Sequence, residues 1–397
     1  MAQSRPTSRT APFVFAASLL AAACAKSDDR WLEELADPDP FVRGTAAIAL
    51  TEQAPHRADP AVDVLIQSLD GPEDPVRAHA GPALVKAAPW TAGRLLRHLV
   101  EEGALSEDAR AAILDALAAS GEVAIPLLIE AMRHPGGSNV RELGMVLVRI
   151  GDPSVEPLTT LLRTDPDPAM QRCAAYLLGQ MGVRGRSAVP ALVLALEKGP
   201  PYLALLSVQS LQRVDPDGGL ALPVLRAALA RDDPSLRAAA AEAVARAQIA
   251  RAETFSPEAR AAALREVGRC GDAALPALID GLASPIPMRK DFARDALLGA
   301  IARFAFEPRP AEVDGRRIAL LIKNLEHDVP ATRGLSALDL GRMGRGAGTA
   351  VPSLLDSMRD RHPEVRTCVA LALWLIALDV CREELVSVRA KRAGHGR

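Results

Sequence analysis

At 397 residues, 49% apolar but only 3% aromatic, the chain has to build its interior from Ala, Leu and Val. Small side chains let helices approach closely, which suits stacked helix pairs better than one large globular core. A formal net charge of −2 excludes broad nucleic-acid binding, which needs Lys and Arg in clear excess over acids.

Residues 1–10 are polar and carry Arg5 and Arg9 with no acid. Residues 11–23 are an apolar run ending Leu20-Ala21-Ala22-Ala23, and Cys24 follows, with Lys26-Ser27-Asp28-Asp29 close behind. A charged start, a short apolar core and a small-residue site predict a signal peptide over 1–23. The run is too short to stay in a bilayer as a spanning helix. Its removal takes two positive charges, and −2 becomes −4.

The segment Leu20-Ala21-Ala22-Ala23-Cys24 resembles a bacterial lipobox. That resemblance implies a lipid on Cys24, a short tether over 24–28 and contact with a membrane through the lipid. The family pattern prefers Leu three places before the cysteine; here that place is Ala21, and Leu20 lies one further back. The alternative is ordinary cleavage after Ala23 or Ala25, which gives a soluble periplasmic or secreted protein. In resembling lipoproteins an Asp after the cysteine favours the inner membrane. Ala25 stands there instead, so the implied location is the outer membrane of the cell envelope.

From Asp29 onward one pattern recurs. A first helix, A, has Leu or an equivalent two and six places after an anchor. The anchors are Asp29, Asp63, Gly93, Pro126, Glu156, Pro190, Pro223, Pro276, Ala319 and Pro352. Sites four apart share one helical face, so each A helix carries an apolar stripe. Proline at an anchor sits in the first turn, where a missing N–H does no harm. The spacing holds at 30–34 residues as far as Pro223, lengthens to 53 and 43, and returns to 33.

A second helix, B, starts at a turn: Asp39-Pro40-Phe41-Val42-Arg43, Asp74-Pro75-Val76-Arg77, Asp167-Pro168 with Arg172, Asp233-Pro234-Ser235-Leu236-Arg237, Ser256-Pro257-Glu258-Ala259-Arg260 and Pro363-Glu364-Val365-Arg366. Asp or Ser caps the free N–H groups and Pro fits the first helical position. Arg110, Arg141 and Arg333 complete the series of early-B arginines. Many units close with glycine, as at Gly121, Gly151, Gly182 and Gly344, in the manner of helix C-caps.

This combination resembles the HEAT-like repeats named for phycobilisome lyase subunits. The resemblance covers roughly residues 28–378. It implies an all-α fold, an α-solenoid of about ten antiparallel helix pairs forming a superhelix. It also implies a structural role for Arg43, Arg77, Arg110, Arg141, Arg172, Arg237, Arg260, Arg333 and Arg366, each bracing a turn Asp or a carbonyl of a neighbouring unit. The other reading of these arginines is an anion-binding ladder.

The division that follows is a regular block over 29–250, an irregular or inserted region over 251–315, closing repeats over 316–378, and a C-terminal helix with a basic tail over 379–397. In the irregular region Ser256 to Gly268 reads as a B-like helix without a clear A partner. Its A helix is either Ala238–Ala250 or missing, with that segment a run-on of the preceding helix. Phe304 to Gly315 reads as a loop.

No chemistry announces itself. The histidines show no metal-ligand spacing, and no phosphate loop, nucleophile elbow or dinucleotide fingerprint is present. Glu130 and His134 read as an exposed ion pair one turn apart. Cys173 and Cys368 read as buried thiols, with a Cys368–Cys381 disulfide open if the last helix folds back. Trp31 falls at an apolar A-helix position and reads as core. No catalytic residue, cofactor or metal is expected. The expected function is a protein-interaction scaffold with unidentified protein partners. The alternatives are a repeat-built enzyme subunit of the lyase-like type and an envelope assembly or structural factor.

Overall fold

The computed structural model describes residues 27–70, 75–101, 105–133, 140–306 and 314–394. The expected signal peptide, Cys24, His134 and Asp74 lie outside the described residues. Two compact units divide the chain after Ala188. Each is a stack of paired helices, and among the described residues there is no strand. The fold is an all-α, HEAT-like solenoid, and each of the ten A-helix anchors lies inside a helix.

In the first unit α1 (Asp28–Glu34) pairs with α2 (Pro40–Gln53), and α3 (Ala61–Leu69) with the start of α4 (Pro75–Glu101). The end of α4 pairs with α5 (Glu107–Ala119), α6 (Ala124–Met132) with α7 (Val140–Ile150), and α8 (Val155–Thr164) with α9 (Pro168–Gln180). The turns start the B helices for the reason the sequence gives. Asp39 accepts from Phe41 N at 2.9 Å and Asp167 from Ala169 N at 2.8 Å, each satisfying a donor the helix cannot. Helix α5 runs into α6 through a 3₁₀ turn, Gly121–Val123, with a bend of 106°. Gly121 takes a left-handed φ of 59° at that elbow. Trp31 is 3% exposed, in the core of the first pair.

One element departs from the repeat grammar. The pattern separates a B helix at Pro75 from an A helix anchored at Gly93, but the structure joins them in the 27-residue α4. Pro82 and Pro89 stand inside it. Each proline frees the carbonyl four residues back, here Ala78 and Val85. Both prolines and both of those residues are exposed, so the freed carbonyls lie on the water side of the helix. The opposite face, Leu84, Ala87, Ala88, Thr91 and Leu95, is buried without interruption and carries the helix through.

The second unit begins with α10 (Val189–Lys198) and α11 (Pro201–Val214), then α12 (Leu222–Ala228) and α13 (Pro234–Ala250). Residues Ala238–Ala250 belong to α13 and are not a separate A helix. An unpaired helix, α14 (Pro257–Arg269), follows; it packs on α13 and on α16 and is tied to α12 by Arg226 and Glu266 at 2.8 Å. Then come α15 (Leu275–Leu282) with α16 (Pro287–Phe306), α17 (Gly315–Asn324) with α18 (Pro330–Arg342), and α19 (Val351–Ser357) with α20 (Pro363–Gly394). Helix α16 runs through Phe304–Phe306, where a loop was expected, because the first breaker is Pro308.

Helix α15 is enclosed. It packs on α13, α16, α18 and α20, and buries Leu275, Leu278, Ile279 and Leu282. Phe292 of α16 is fully buried in the same core, 5.8 Å from the ring of Phe255. Helices α18 and α20 lie so close that a Cβ on Gly341 would stand 2.7 Å from Ala372 Cα. The Cys368–Cys381 disulfide does not form: Cys368 is a free, buried thiol, and both cysteines lie on the unbroken α20. Thirteen residues of helix separate them by roughly 20 Å, against the ~7 Å limit between Cα atoms of a bridged pair.

Candidate functional site

The early-B arginines divide by what they meet. Arg43, Arg237, Arg333 and Arg366 reach back to the turn before their own helix. Arg43 Nη1 donates to Asp37 O at 2.7 Å and Pro38 O at 3.0 Å. Arg237 donates to Arg231 O and Asp232 O, both at 2.8 Å. Arg333 donates to His327 O at 2.7 Å, and Arg366 to Asp360 O at 2.7 Å. These carbonyls end the preceding A helices or follow them, and have no helical partner of their own.

A second set reaches forward to a carboxylate on a later B helix. Arg77 meets Asp108 at 2.8 Å, Arg110 meets Glu142 at 2.9 Å, and Arg260 meets Asp295 at 2.7 Å. Arg333 reaches both ways: its Nε and Nη2 donate to Asp360, in the turn before α20, at 2.6 and 3.0 Å. That pair is nearly buried, with side chains 8% and 10% exposed. Burial works against the Asp360 charge, but Arg333 and the His362 N–H hold its carboxyl below the usual carboxylate range. Arg141 and Arg172 are exposed at the starts of α7 and α9.

Sequence reasoning missed one member. After Asp167 the turn carbonyl is bound by Gln171, whose Nε2 donates to Asp165 O at 2.8 Å. The span of six residues is the one Arg43 and Arg237 use. The signal was the count, four residues after the capping Asp; the choice of Arg172 followed residue type.

The first unit also holds an open groove of about 520 Å³ between the A helices α6 and α8. Helix α6 packs on α7 and α4, and α8 on α9, which leaves space between the two. Ile125 and Leu161, 4% and 5% exposed, form an apolar floor with Ile129 beside them. Pro126 and Pro157 stand at one end. Thr160 and Thr164 put short side chains on the α8 side, which keeps the groove open.

The other end is polar. Asp165, with its side chain 1% exposed, takes an ion pair from Arg133 Nη2. Its second carboxylate oxygen accepts from Asp167 N at 2.9 Å. The charge of Arg133 is therefore met by a buried partner. Glu130, whose side chain is 69% exposed, lies 3.7 Å from Arg133 Nε and so has only a share in that arginine. Glu156 is exposed at the start of α8. Three carboxylates against one guanidinium leave the groove net negative.

Elsewhere, burial pushes the thiols of Cys173 and Cys270 up to about 11 and that of Cys368 up to about 12, which keeps them protonated and unreactive at neutral pH. Among the described residues no group of three or more His, Cys, Asp or Glu is placed to hold a metal ion, and no single helix is long and apolar enough to cross a membrane. Trp90 and Trp374 are exposed, at 53% and 50%.

No protein-family model and no curated protein matches the chain. Among solved structures it is similar to Kap121p bound to Nup53p, at 14% identity over 93% of this chain and 43% of that one, with a TM-score of 0.41. It is also similar to Kap121p alone (13%, 91% and 43%, 0.41) and to Kap121p bound to Pho4p (14%, 90% and 43%, 0.35). The chain spans less than half the length of these structures.

Proposed function

We propose that this chain is an exported protein-interaction scaffold, anchored in the bacterial cell envelope by lipid on Cys24. The observation that carries the binding half is the groove between α6 and α8: an open, apolar-floored surface of about 520 Å³ on a stack of helices. Pockets that take ligands combine an apolar lining with a few placed polar groups, as this one does. The arginines support the same reading, because Arg43, Arg77, Arg237 and Arg333 are engaged in joining turns and helices. The membrane half rests on Leu20-Ala21-Ala22-Ala23-Cys24, and Ala25 directs it to the outer membrane.

Two experiments test the halves separately. Cells fed radioactive palmitate are expected to label the wild-type chain and not Cys24→Ser; equal label on both sinks the lipid anchor. A photo-crosslinking residue placed in turn at Pro126, Met145, Tyr176 and Trp374 in living cells is expected to give discrete protein adducts from at least one position. Silence at all four sinks the scaffold.

A further inference from the structure

We infer that the groove between α6 and α8 receives a partner segment in which an apolar side chain stands next to Lys or Arg. The inference rests on the scaffold reading and narrows its partner class. Three observations support it.

The floor is apolar and buried at its base, so an aliphatic side chain entering it removes its own apolar surface from water against Ile125, Ile129 and Leu161. The volume lies within the range of about 300–1,000 Å³ typical of ligand pockets, enough for a few side chains and too small for a folded domain.

The rim sets the sign of the partner. Arg133 already faces Asp165, so the charge left over is that of Glu130 and Glu156. Both are exposed and on opposite walls. A guanidinium or ammonium leaving the floor meets Glu156 toward the proline end or Glu130 toward the other; an acidic side chain meets repulsion in both directions.

The field around the groove has the same sign. Residues 27–188 hold 24 Asp and Glu against 15 Lys and Arg, whereas residues 189–397 hold 25 against 29. A cationic segment is therefore drawn toward the unit that contains the groove, and the attraction weakens with salt.

The test is fluorescence anisotropy on the full chain with two fluorescein-labelled peptides, Gly-Leu-Arg-Ile-Arg-Leu-Gly and the same peptide with Glu for Arg. The arginine peptide is expected to bind saturably and more weakly as salt rises; the glutamate peptide is expected not to bind. Glu130→Lys with Glu156→Lys should weaken the arginine peptide about tenfold and admit the glutamate peptide. Thr160→Trp, which fills the groove, should weaken the arginine peptide on the wild-type background and the glutamate peptide on the charge-reversed one. Both substitutions lie at exposed positions, and unchanged circular dichroism confirms the fold. Equal binding of the two peptides, no binding of the arginine peptide, or an arginine-peptide affinity unmoved by the charge reversal each overturns the inference. The crosslinking readout is separate. Adducts at Met145, Tyr176 or Trp374 together with a failed peptide titration leave the scaffold standing while the groove falls. Silence at every position removes the scaffold, and the titration still judges the groove.

Discussion

The two units apply one helical grammar to different ends. In the first, each A helix packs on its own B helix, and the groove between α6 and α8 is left unfilled. In the second, an unpaired helix, α14, interrupts the alternation, and α15 is enclosed by α13, α16, α18 and α20. There stacking gives way to wrapping. The first arrangement leaves surface available between helices; the second gathers Phe292, Leu278 and Ile279 into a core with several walls.

The largest expected effect tests that contrast. Phe292→Ala should remove about 3–5 kcal/mol of stability, because the enclosed site cannot collapse around the cavity. Hydrogen exchange read by mass spectrometry should show protection falling across 245–376 and unchanged in 27–188, as nearest-neighbour stacking requires. Equal loss in both units would show that the division is not energetic.

Next comes Asp360→Ala, which strands Arg333 in a site where both side chains are nearly buried. Breaking a buried pair from one side costs about 3–5 kcal/mol, and the lower end is expected here because Arg333 keeps two carbonyl partners. The same pair gives a pH dependence. The folded carboxyl titrates below its unfolded value of ~3.9, so its contribution is complete above that value. It is lost as pH falls through the lower, folded one. Acid unfolding followed by circular dichroism should therefore have a shallower limb below pH ~4 in the Asp360→Ala chain. Asp63 of the first unit is also held low, first by its hydrogen bond from Arg94, but it is more exposed and should contribute less.

Gly341→Ala should cost about 1–3 kcal/mol, since the new Cβ meets backbone on α20 and not a side-chain tip that can swing away. A urea melt measures it. Smallest is Gln171→Ala, at about 1 kcal/mol for one hydrogen bond to a turn carbonyl. The telling comparison is Arg172→Ala, expected to be milder in the same melt. A larger loss from Arg172 would mean that residue type, not the count from the cap, sets this position.

The helix pairs were legible because period and punctuation coincide: the anchors at Pro190, Pro223 and Pro352 each fall in the first turn of a helix, after a break in the pattern. What was not legible depends on direction or on space. Pro82 and Pro89 look like breakers in a sequence, and only the exposed side they share shows why α4 continues. Gln171 was hidden because it is not an arginine. The groove was hidden altogether. Its residues are ordinary for an A helix, and its existence depends on how far α6 and α8 stand apart, which no spacing in the chain encodes. The enclosure of α15 is of the same kind: the stretched interval before Pro276 marks that something changes, not what closes around the helix.

Asp165 gives the groove a means of refusal. An anionic ligand attracted to Arg133 has to take that guanidinium from a carboxylate whose side chain is 1% exposed. A stranded buried charge costs several kcal/mol, more than one surface ion pair returns. A cationic ligand leaves the Arg133–Asp165 pair intact and uses Glu130 and Glu156 instead. The discrimination between acidic and basic partners is therefore set beneath the surface, by an ion pair that no partner needs to touch.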